Sequence, residues 1–333
     1  EFELKLYING KKYIYQLILS PKDILSEKLH VYNSNQPSLL MHRELVDSNT
    51  ALKFNQSLIK VSAAVKDELT AKCLKNMSLF AARKAVNCNL GEIDDVRDWM
   101  INHTLPVIDL GQKMFNYAER NMLENPDAKK HLLDFCHNIG FNIEDMAVEK
   151  DYMSLTPEMI QFIKSSGQLS DENASKLSKD PKMPNGFKTD FIVSVINKRG
   201  KEIYTLPKAS QSEGTLRAMG IETALYVAEQ NNKLLPIDEI ETSMHPLLLK
   251  FMIQSFLKVQ SRSQLLLTTH YDPLFTAVDD YLRKDSFWLM DKRDDGHSEL
   301  YPLISKNGVN KMRSLQRAYL NNKLGALPQI ANV

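Results

Sequence analysis

Two short stretches, LLPIDE at residues 234–239 and LLLTTH at residues 265–270, decide how the fold is interpreted. Each is an apolar run that ends in polar residues, which is typical of a buried parallel strand that delivers side chains to the carboxyl edge of a sheet. Such a set fits the hydrolytic half of a phosphate site, with Asp238 for Mg²⁺, Glu239 to orient water and His270 for a γ-phosphate. Taken alone, the two acids are more typical of an ordinary solvated strand end, and a lone histidine after a strand is more often structural.

A third stretch, SQSEGTLR at residues 210–217, strengthens the functional interpretation. It opens an apolar-periodic run that predicts a helix, with Met219, Ile221 and Leu225 at helical spacing. A Ser-x-Gly-Thr turn at a helix N-terminus offers free N–H groups, a hydroxyl and the positive end of the helix dipole, all suited to an anion. The alternative is an ordinary capped helix.

In this order and spacing the three stretches resemble the ABC/SMC-like branch of P-loop ATPases, which includes RecF, the overcoming-lysogenisation proteins and the AAA-type abortive-infection and anti-phage ATPases. SEGT (212–215) is similar to the signature loop, IDEIE (237–241) to Walker B, SMHP (243–246) to the D-loop region, and TTH (268–270) to the switch-histidine motif. RAYL (317–320) and LGALP (324–328) are similar to the ending of the abortive-infection type. The resemblance covers about residues 185–333.

The resemblance implies a role for each site residue. Asp238 would hold Mg²⁺, Glu239 and His270 would be catalytic, and ATP would be the nucleotide. The signature loop would contact ATP that is bound to an opposing protomer, through Ser212, Gly214 and Thr215. Arg217 would add positive charge there, with a helix-surface position as the alternative. His245 and Pro246 are expected to shape the D-loop region and to start the next helix, which runs to about Lys258.

The chain departs from the family pattern in its phosphate-binding loop. Members begin with a strand and a G-x-x-x-x-G-K-[ST] loop, and no Gly-Lys-Ser or Gly-Lys-Thr occurs in the 333 residues. Gly10-Lys11 follows Asn9 between two alternating runs, which predicts a two-residue hairpin turn instead. In the family such a hairpin follows the Walker A segment, so the chain is expected to be incomplete at its N-terminus. The missing part would be a further segment of the same polypeptide, a separate polypeptide, or a true loss.

Composition limits the class of protein. With 43% hydrophobic and 25% charged residues the chain can bury a large core, and a net charge of +1 does not by itself indicate nucleic acid. Three cysteines without paired spacing support neither a disulfide framework nor a zinc site. No apolar run approaches membrane-spanning length, which predicts a cytoplasmic protein without membrane contact.

Four segments are predicted along the chain. Residues 1–55 form a β-rich part of the ATPase head, 56–165 an inserted helical arm, 166–184 a polar linker or mobile loop, and 185–333 the ATPase core. Between Gln56 and Val86 six basic residues face two acidic ones, which is typical of a solvated helix face; a nucleic-acid or partner surface is the alternative.

The predicted fold class is α/β: an ABC-type ATPase head with a partly parallel sheet and flanking helices, an antiparallel β-region and an inserted helical arm. The resemblance implies an ATPase sensor or scaffold of anti-phage defence or DNA maintenance. It would form a homodimer or higher homo-oligomer through its heads and control an effector such as a nuclease, with nucleic acid as a further partner. The alternative is a non-hydrolysing scaffold that has lost the P-loop.

Overall fold

The computed structural model describes residues 1–165, 181–278, 280–293 and 295–327. The chain divides into two compact units, Glu1–Thr104 and Leu105–Val333. Residues 166–180 of the predicted linker lie outside the described residues. In the described part of the chain no helix has both the length and the apolar character needed to cross a membrane.

The first unit is built on a five-stranded antiparallel sheet in the order β1-β2-β3-β4-β5. Its strands are β1 (Phe2–Ile8), β2 (Lys11–Leu19), β3 (Ile24–Tyr32), β4 (Ser38–Val46) and β5 (Asn49–Phe54). The hairpin predicted at Asn9 and Gly10 is confirmed, with left-handed φ values of 51° and 79° that match a tight turn between twisted strands. Gly10-Lys11 is therefore a turn and not a phosphate loop.

Three helices complete the first unit: α1 (Ala63–Lys72), α2 (Leu79–Ala82) and α3 (Glu92–Asn102). Sheet and helices bury one apolar core, in which Leu29, Leu69 and Ile93 have no exposed surface. The buried Glu27 carboxylate accepts the Leu79 N–H at 2.7 Å and so fixes the start of α2. All six basic residues between Gln56 and Val86 lie in this unit, on α1 and in the segments on either side of it.

The second unit is organised around one long helix. Its helices are α4 (Phe115–Glu124), α5 (Pro126–Asn138), α6 (Pro157–Ser165), α7 (Glu213–Asn231), α8 (Pro246–Lys258) and α9 (Leu315–Leu320). Ten of the 19 residues of α7 are buried, so this helix is surrounded by protein. A Cβ atom added to Gly220 would lie 2.5 Å from Met114, so the glycine allows α7 to approach the start of α4.

The predicted helical arm over residues 56–165 is not one structural unit. The division after Thr104 cuts it, and residues Ile143–Ser154 form a strand, β6, that pairs along its whole length with β7 (Lys182–Asn197). β7 in turn pairs with β8 (Gly200–Pro207), and β11 (Trp288–Lys292) pairs with β12 (Ser298–Pro302). β7 begins inside the predicted linker, because its first residues pair with the far end of β6. The helix prediction failed at β6 because strand pairing overrode local propensity.

The two motif-bearing strands are short, parallel neighbours: β9 (Leu234–Ile237) and β10 (Gln264–Leu267). On the other edge of β9 the segment 105–108 runs beside it, with the Leu105 N–H donating to the Leu234 carbonyl at 2.9 Å and a parallel bridge from Ile108 to Ile237. The predicted helical arm over residues 56–165 is therefore wrong at this segment as well, and α4 starts only at Phe115. Pro106 explains the difference, since proline disfavours the helical conformation of the residue before it.

Candidate functional site at the carboxyl edge of the parallel strands

The loops that follow β9 and β10 are joined by one threonine. The Thr268 hydroxyl donates to the Asp238 carboxylate, and the same oxygen accepts the Glu239 N–H at 2.9 Å. The Thr268 N–H continues the strand ladder by donating to the Ile237 carbonyl at 3.0 Å. The two acids and the threonine are thus fixed at one edge of the sheet, where ligands bind in α/β folds.

Glu239 has a strained backbone. Its φ of 44° lies in the left-handed region, which non-glycine residues rarely adopt. The conformation is held by the N–H bond to Thr268 and by the buried Ile240, which is anchored in the core. Such strain is concentrated at functional sites because the surrounding structure must maintain it. Here it turns the Glu239 side chain towards the histidine loop.

His270 lies beside Glu239 with its ring in solvent. The distance from His270 Nε2 to Glu239 Oε1 is 4.0 Å, and 88% of the His270 side-chain surface is exposed. Its backbone is fixed, however, because the His270 N–H donates to Glu241 Oε1 at 2.6 Å. A fixed backbone with a free ring suits a residue that contacts a ligand arriving at this edge.

The signature-like turn caps helix α7. The Ser212 hydroxyl accepts the Thr215 N–H at 3.1 Å and lies 2.9 Å from the Thr215 hydroxyl. A Cβ atom added to Gly214 would lie 2.3 Å from the Ser243 carbonyl oxygen. The turn therefore packs directly on the loop that contains Ser243, and only glycine allows this approach.

Arg217 points into the protein. Only 5% of the residue is exposed, and its Nη1 donates to the Asp109 carbonyl at 3.4 Å. Burial lowers the pKa of the guanidinium, while the negative charges of Asp109 and Glu213 oppose that shift. The helix-surface alternative for Arg217 is therefore wrong.

His245 has the structural role expected from the sequence. Its Nδ1 accepts the Leu247 N–H at 3.2 Å, which makes it the N-cap of α8, with Pro246 in the first turn. α8 ends at Lys258, as the apolar pattern predicts. His245 thereby fixes the start of α8, and its Nδ1 atom is occupied by this hydrogen bond.

The structure therefore brings the predicted residues together as two groups. Asp238, Glu239 and His270 meet at the strand edge, and Ser212, Gly214 and Thr215 form the turn against Ser243. Sequence reasoning did not assign a role to Thr268, although it stands in the TTH motif. It also missed the contribution of Asp109, because its segment was interpreted as helix.

The donor set at this edge fits Mg²⁺ held mainly by its substrate. In the described ranges no group of three His, Cys, Asp or Glu residues could hold a metal. Mg²⁺ usually keeps several waters and takes one or two carboxylates together with substrate phosphates. The Asp238 carboxylate at the end of β9, oriented by Thr268, is suited to that arrangement.

The comparisons with known proteins identify the family of the chain. A family model described as "AAA domain, putative AbiEii toxin, Type IV TA system" matches residues 1–276. The match spans both strands and the histidine loop. No curated protein matches the chain.

Proposed function

Because the chain belongs to this AAA-domain family of type IV toxin–antitoxin systems, we propose that it carries the Walker B, signature and switch-histidine half of an ABC/SMC-like ATPase head. The observation that carries the proposal is the meeting of Asp238, Glu239 and His270 at the carboxyl edge of two parallel strands, joined by Thr268. This edge would supply the Mg²⁺ ligand, the carboxylate that orients water and the contact to the terminal phosphate, and the phosphate-binding loop would supply the remaining groups that phosphoryl transfer to water requires.

Each side chain has a distinct task in the proposed reaction. Asp238, oriented by Thr268, would hold Mg²⁺, which would supply positive charge to the phosphates. Glu239 accepts a hydrogen bond from the attacking water and orients it towards the terminal phosphorus. His270, with an exposed ring on a fixed backbone, donates to the terminal phosphate oxygens as charge develops on them.

The exposed edge of β10 supports a place for the phosphate-binding loop. Leu266 is 58% exposed although it lies in the apolar run of a motif strand. Among the described strands β10 pairs only with β9. We infer that a further strand, followed by the glycine-rich loop, pairs with this edge and completes the site. No Gly-Lys-Ser or Gly-Lys-Thr occurs in residues 1–333, so in this proposal the loop would be carried on another segment, of the same polypeptide or of a different one.

The partners follow from the same proposal. The capped turn of α7 faces the nucleotide of an opposing protomer, so the heads act as a homodimer or a higher homo-oligomer. ATP-dependent closure then controls an effector such as a nuclease in anti-phage defence, with nucleic acid as a further ligand of the basic segment between Lys60 and Lys84. The protein acts in the cytoplasm.

A non-hydrolysing scaffold is the second candidate. It is favoured by one observation, the lack of a Gly-Lys-Ser or Gly-Lys-Thr sequence in the 333 residues. A scaffold has no need of an aspartate and a glutamate fixed by a shared threonine, and this favours the enzyme.

The experiment compares Asp238→Ala with His270→Ala in the protein that contains its phosphate-binding loop. A metal ligand supports ground-state charge, so Asp238→Ala should remove Mg²⁺-dependent ATP binding in calorimetry. His270→Ala should leave the Kd nearly unchanged and slow phosphate release about 10²-fold, since its contact strengthens in the transition state. Asp280→Ala, at an exposed turn, is the control. Equal losses of affinity in both variants would contradict the assigned roles.

A further inference from the structure

One carboxylate in the second unit is completely buried and has a partner on each oxygen. Glu119 of α4 has no exposed surface. Its Oε1 atom accepts the Thr189 hydroxyl of β7 at 2.6 Å, and its Oε2 atom accepts the Lys208 ammonium at 2.8 Å. Lys208 also donates to the Asn116 side-chain oxygen at 3.0 Å and lies 5.3 Å from the centre of the Phe115 ring. The carboxylate thus joins α4 and β7 to the residue that follows β8.

Lys208 lies just before the signature-like turn. β8 ends at Pro207, and Lys208 opens a short 3₁₀ turn, Lys208–Ser210. The Gln211 N–H donates to the Lys208 carbonyl at 3.0 Å, and Ser212 then caps α7. Lys208 is therefore held by α4 through its side chain, and its carbonyl oxygen holds the residue that leads into the cap.

A second contact holds α7 against α4 on the other side of the turn. Gly220 approaches Met114 so closely that an added Cβ atom would lie 2.5 Å from it. Lys208 precedes Ser212 by four residues, and Gly220 follows Ser212 by eight. The chain is thus fixed to α4 before and after the signature-like turn, so the turn keeps one position relative to α4.

We propose that Lys208 and Glu119 are positioning residues for the signature-like turn. An ion pair with a fully buried carboxylate adds little net stability compared with apolar side chains of the same volume, because the charges lose their water. Its particular effect is geometric. Both carboxylate oxygens have fixed partners, so the Lys208 ammonium has one placement and the 3₁₀ turn begins at one point. Neither residue touches the nucleotide in this account.

The consequence for the reaction rests on the proposed function. The signature-like turn contacts ATP of the opposing protomer through Ser212, Gly214 and Thr215, so its placement determines how well two heads close on the nucleotide. Loss of the ion pair should leave ATP binding by a single protomer intact and should weaken closure. The effect of the pair is therefore expected in turnover and not in affinity.

Direct binding of a phosphate by Lys208 is the competing account. The Lys208 side chain is 30% exposed, and lysine is a common phosphate ligand. Two of its donors are already used by Glu119 and Asn116. The two accounts differ in what they predict for Glu119→Gln. A positioning pair needs both charges, whereas a phosphate-binding lysine would be released for its task when the carboxylate is removed.

The first test needs no nucleotide and measures amide hydrogen exchange in residues 1–333. Three amides make the hydrogen bonds that build the turn, those of Gln211, Thr215 and Leu216. Lys208→Met and Glu119→Gln should each raise the exchange rates of these amides about tenfold, because the turn then opens locally. The amides at the far end of α7 should exchange as in the wild type.

The matched control is Lys188→Met. Lys188 lies one residue before Thr189 on β7, and its ion pair with Glu149 is exposed to solvent. This variant should leave exchange in the turn within about twofold of the wild type, since exposed ion pairs contribute little.

Glu119→Gln keeps the side-chain volume and decides the first test if Lys208→Met does not fold. Unchanged exchange at the turn in Glu119→Gln would overturn the proposal. An equal rise in exchange along the whole of α7 would also overturn it, because the pair would then be a general stabilising contact.

The second test measures ATP hydrolysis by the protein that contains its phosphate-binding loop. Lys208→Met and Glu119→Gln should each lower kcat about tenfold with the Kd of ATP unchanged, and the double variant should be no slower than either single variant. Lys208→Arg keeps the charge and should recover part of kcat. A Kd raised more than about tenfold by Lys208→Met, with Glu119→Gln unaffected, would show that Lys208 binds phosphate instead.

The two tests separate the positioning role from the proposed function. If the wild type does not hydrolyse ATP while both variants raise exchange at the turn, the proposed function fails and the positioning role stands. If the wild type hydrolyses ATP and both variants leave exchange and kcat unchanged, the proposed function stands and the positioning role is wrong.

Discussion

The two parallel strands β9 and β10 have the same length and a similar apolar composition, yet their environments differ. In β9 three of four residues are buried, whereas in β10 none is. Leu235 is 1% exposed, and Leu266, one position further along the neighbouring strand, is 58% exposed. β9 has a neighbour on each edge, the segment 105–108 on one side and β10 on the other.

Two strands of similar apolar composition are thus buried to different extents because their neighbours differ. A run such as Leu265-Leu266-Leu267 is typical of a strand covered on both faces. In the described residues it has the sequence of an inner strand and the surroundings of an edge strand. This mismatch is the structural basis for placing the completing strand beside β10.

The largest expected change in the free energy of unfolding comes from replacing one leucine in each strand. Leu235→Ala in β9 should lower the free energy of unfolding by about 2–5 kcal/mol, because it leaves a cavity in a closed core. Leu266→Ala in β10 should cost less than about 1 kcal/mol in residues 1–333, since that side chain is already largely in solvent. Urea unfolding monitored by circular dichroism measures both.

The same two substitutions can be compared by their stability cost in the protein that contains the phosphate-binding loop. There the cost of Leu266→Ala should approach that of Leu235→Ala, because the added strand buries it. A small cost of Leu266→Ala in both forms of the protein would mean that β10 remains an edge strand and that the completing strand lies elsewhere.

Substitutions at the loops after the two strands should also differ in their effect on stability, although the changes should be smaller. Gly214→Ala forces its Cβ atom against the Ser243 carbonyl in the loop after β9, and overpacking of this kind costs about 1–3 kcal/mol. Gly111→Ala is the matched control, since its nearest neighbour would be 3.6 Å away. In the loop after β10, His270→Ala should leave thermal stability almost unchanged because the ring is exposed. An unchanged free energy of unfolding in Gly214→Ala would contradict the close packing of the turn against the Ser243 loop.

The smallest expected effect is on the pH dependence of stability. It arises in α7, the helix that precedes β9. Burial and the charge of Glu222 raise the pKa of Glu229 on α7 to about 7, and His131 opposes the shift. Because this value exceeds the ordinary 4.5, the folded protein binds the proton more tightly than the unfolded chain. The stabilisation is complete below pH 4.5 and is lost as the pH rises through about 7.

Glu229→Gln should therefore flatten the decline in Tm between pH 5 and pH 8, while Glu124→Gln, at an exposed position of α4, should not. Differential scanning calorimetry of the two variants and the wild type across this range gives the comparison. Parallel pH profiles for all three proteins would assign the raised pKa to another group.

Local signals predicted much of the site. The alternating runs around Asn9-Gly10, the capped starts of α7 and α8, and the polar ends of β9 and β10 are all encoded within short windows, where turn chemistry and periodicity decide the structure. The meeting of Asp238, Glu239 and His270 follows from the parallel pairing of two neighbouring strands. It was predictable because parallel strands end at the same edge.

Other features depend on distant partners and left no local signal. Residues 105–108 have apolar spacing that indicates a helix, but β9 holds them extended. β6 has a partner about forty residues away in sequence, and pairing over such a distance overrides propensity. The burial of Arg217 could not be deduced from its position in the SEGTLR stretch, because the sequence does not show which face of α7 is covered.

The proposed ATPase is tested most directly by Glu239→Gln in the protein that contains its phosphate-binding loop. Glutamine keeps the size of the side chain and loses the carboxylate that orients water, so phosphate release should fall about 10²- to 10⁴-fold while ATP binding persists. The measurement pairs phosphate release with the nucleotide retained after gel filtration, with Glu124→Gln as the control. The account predicts a dimer that holds unhydrolysed ATP. Hydrolysis by Glu239→Gln at the wild-type rate would contradict it.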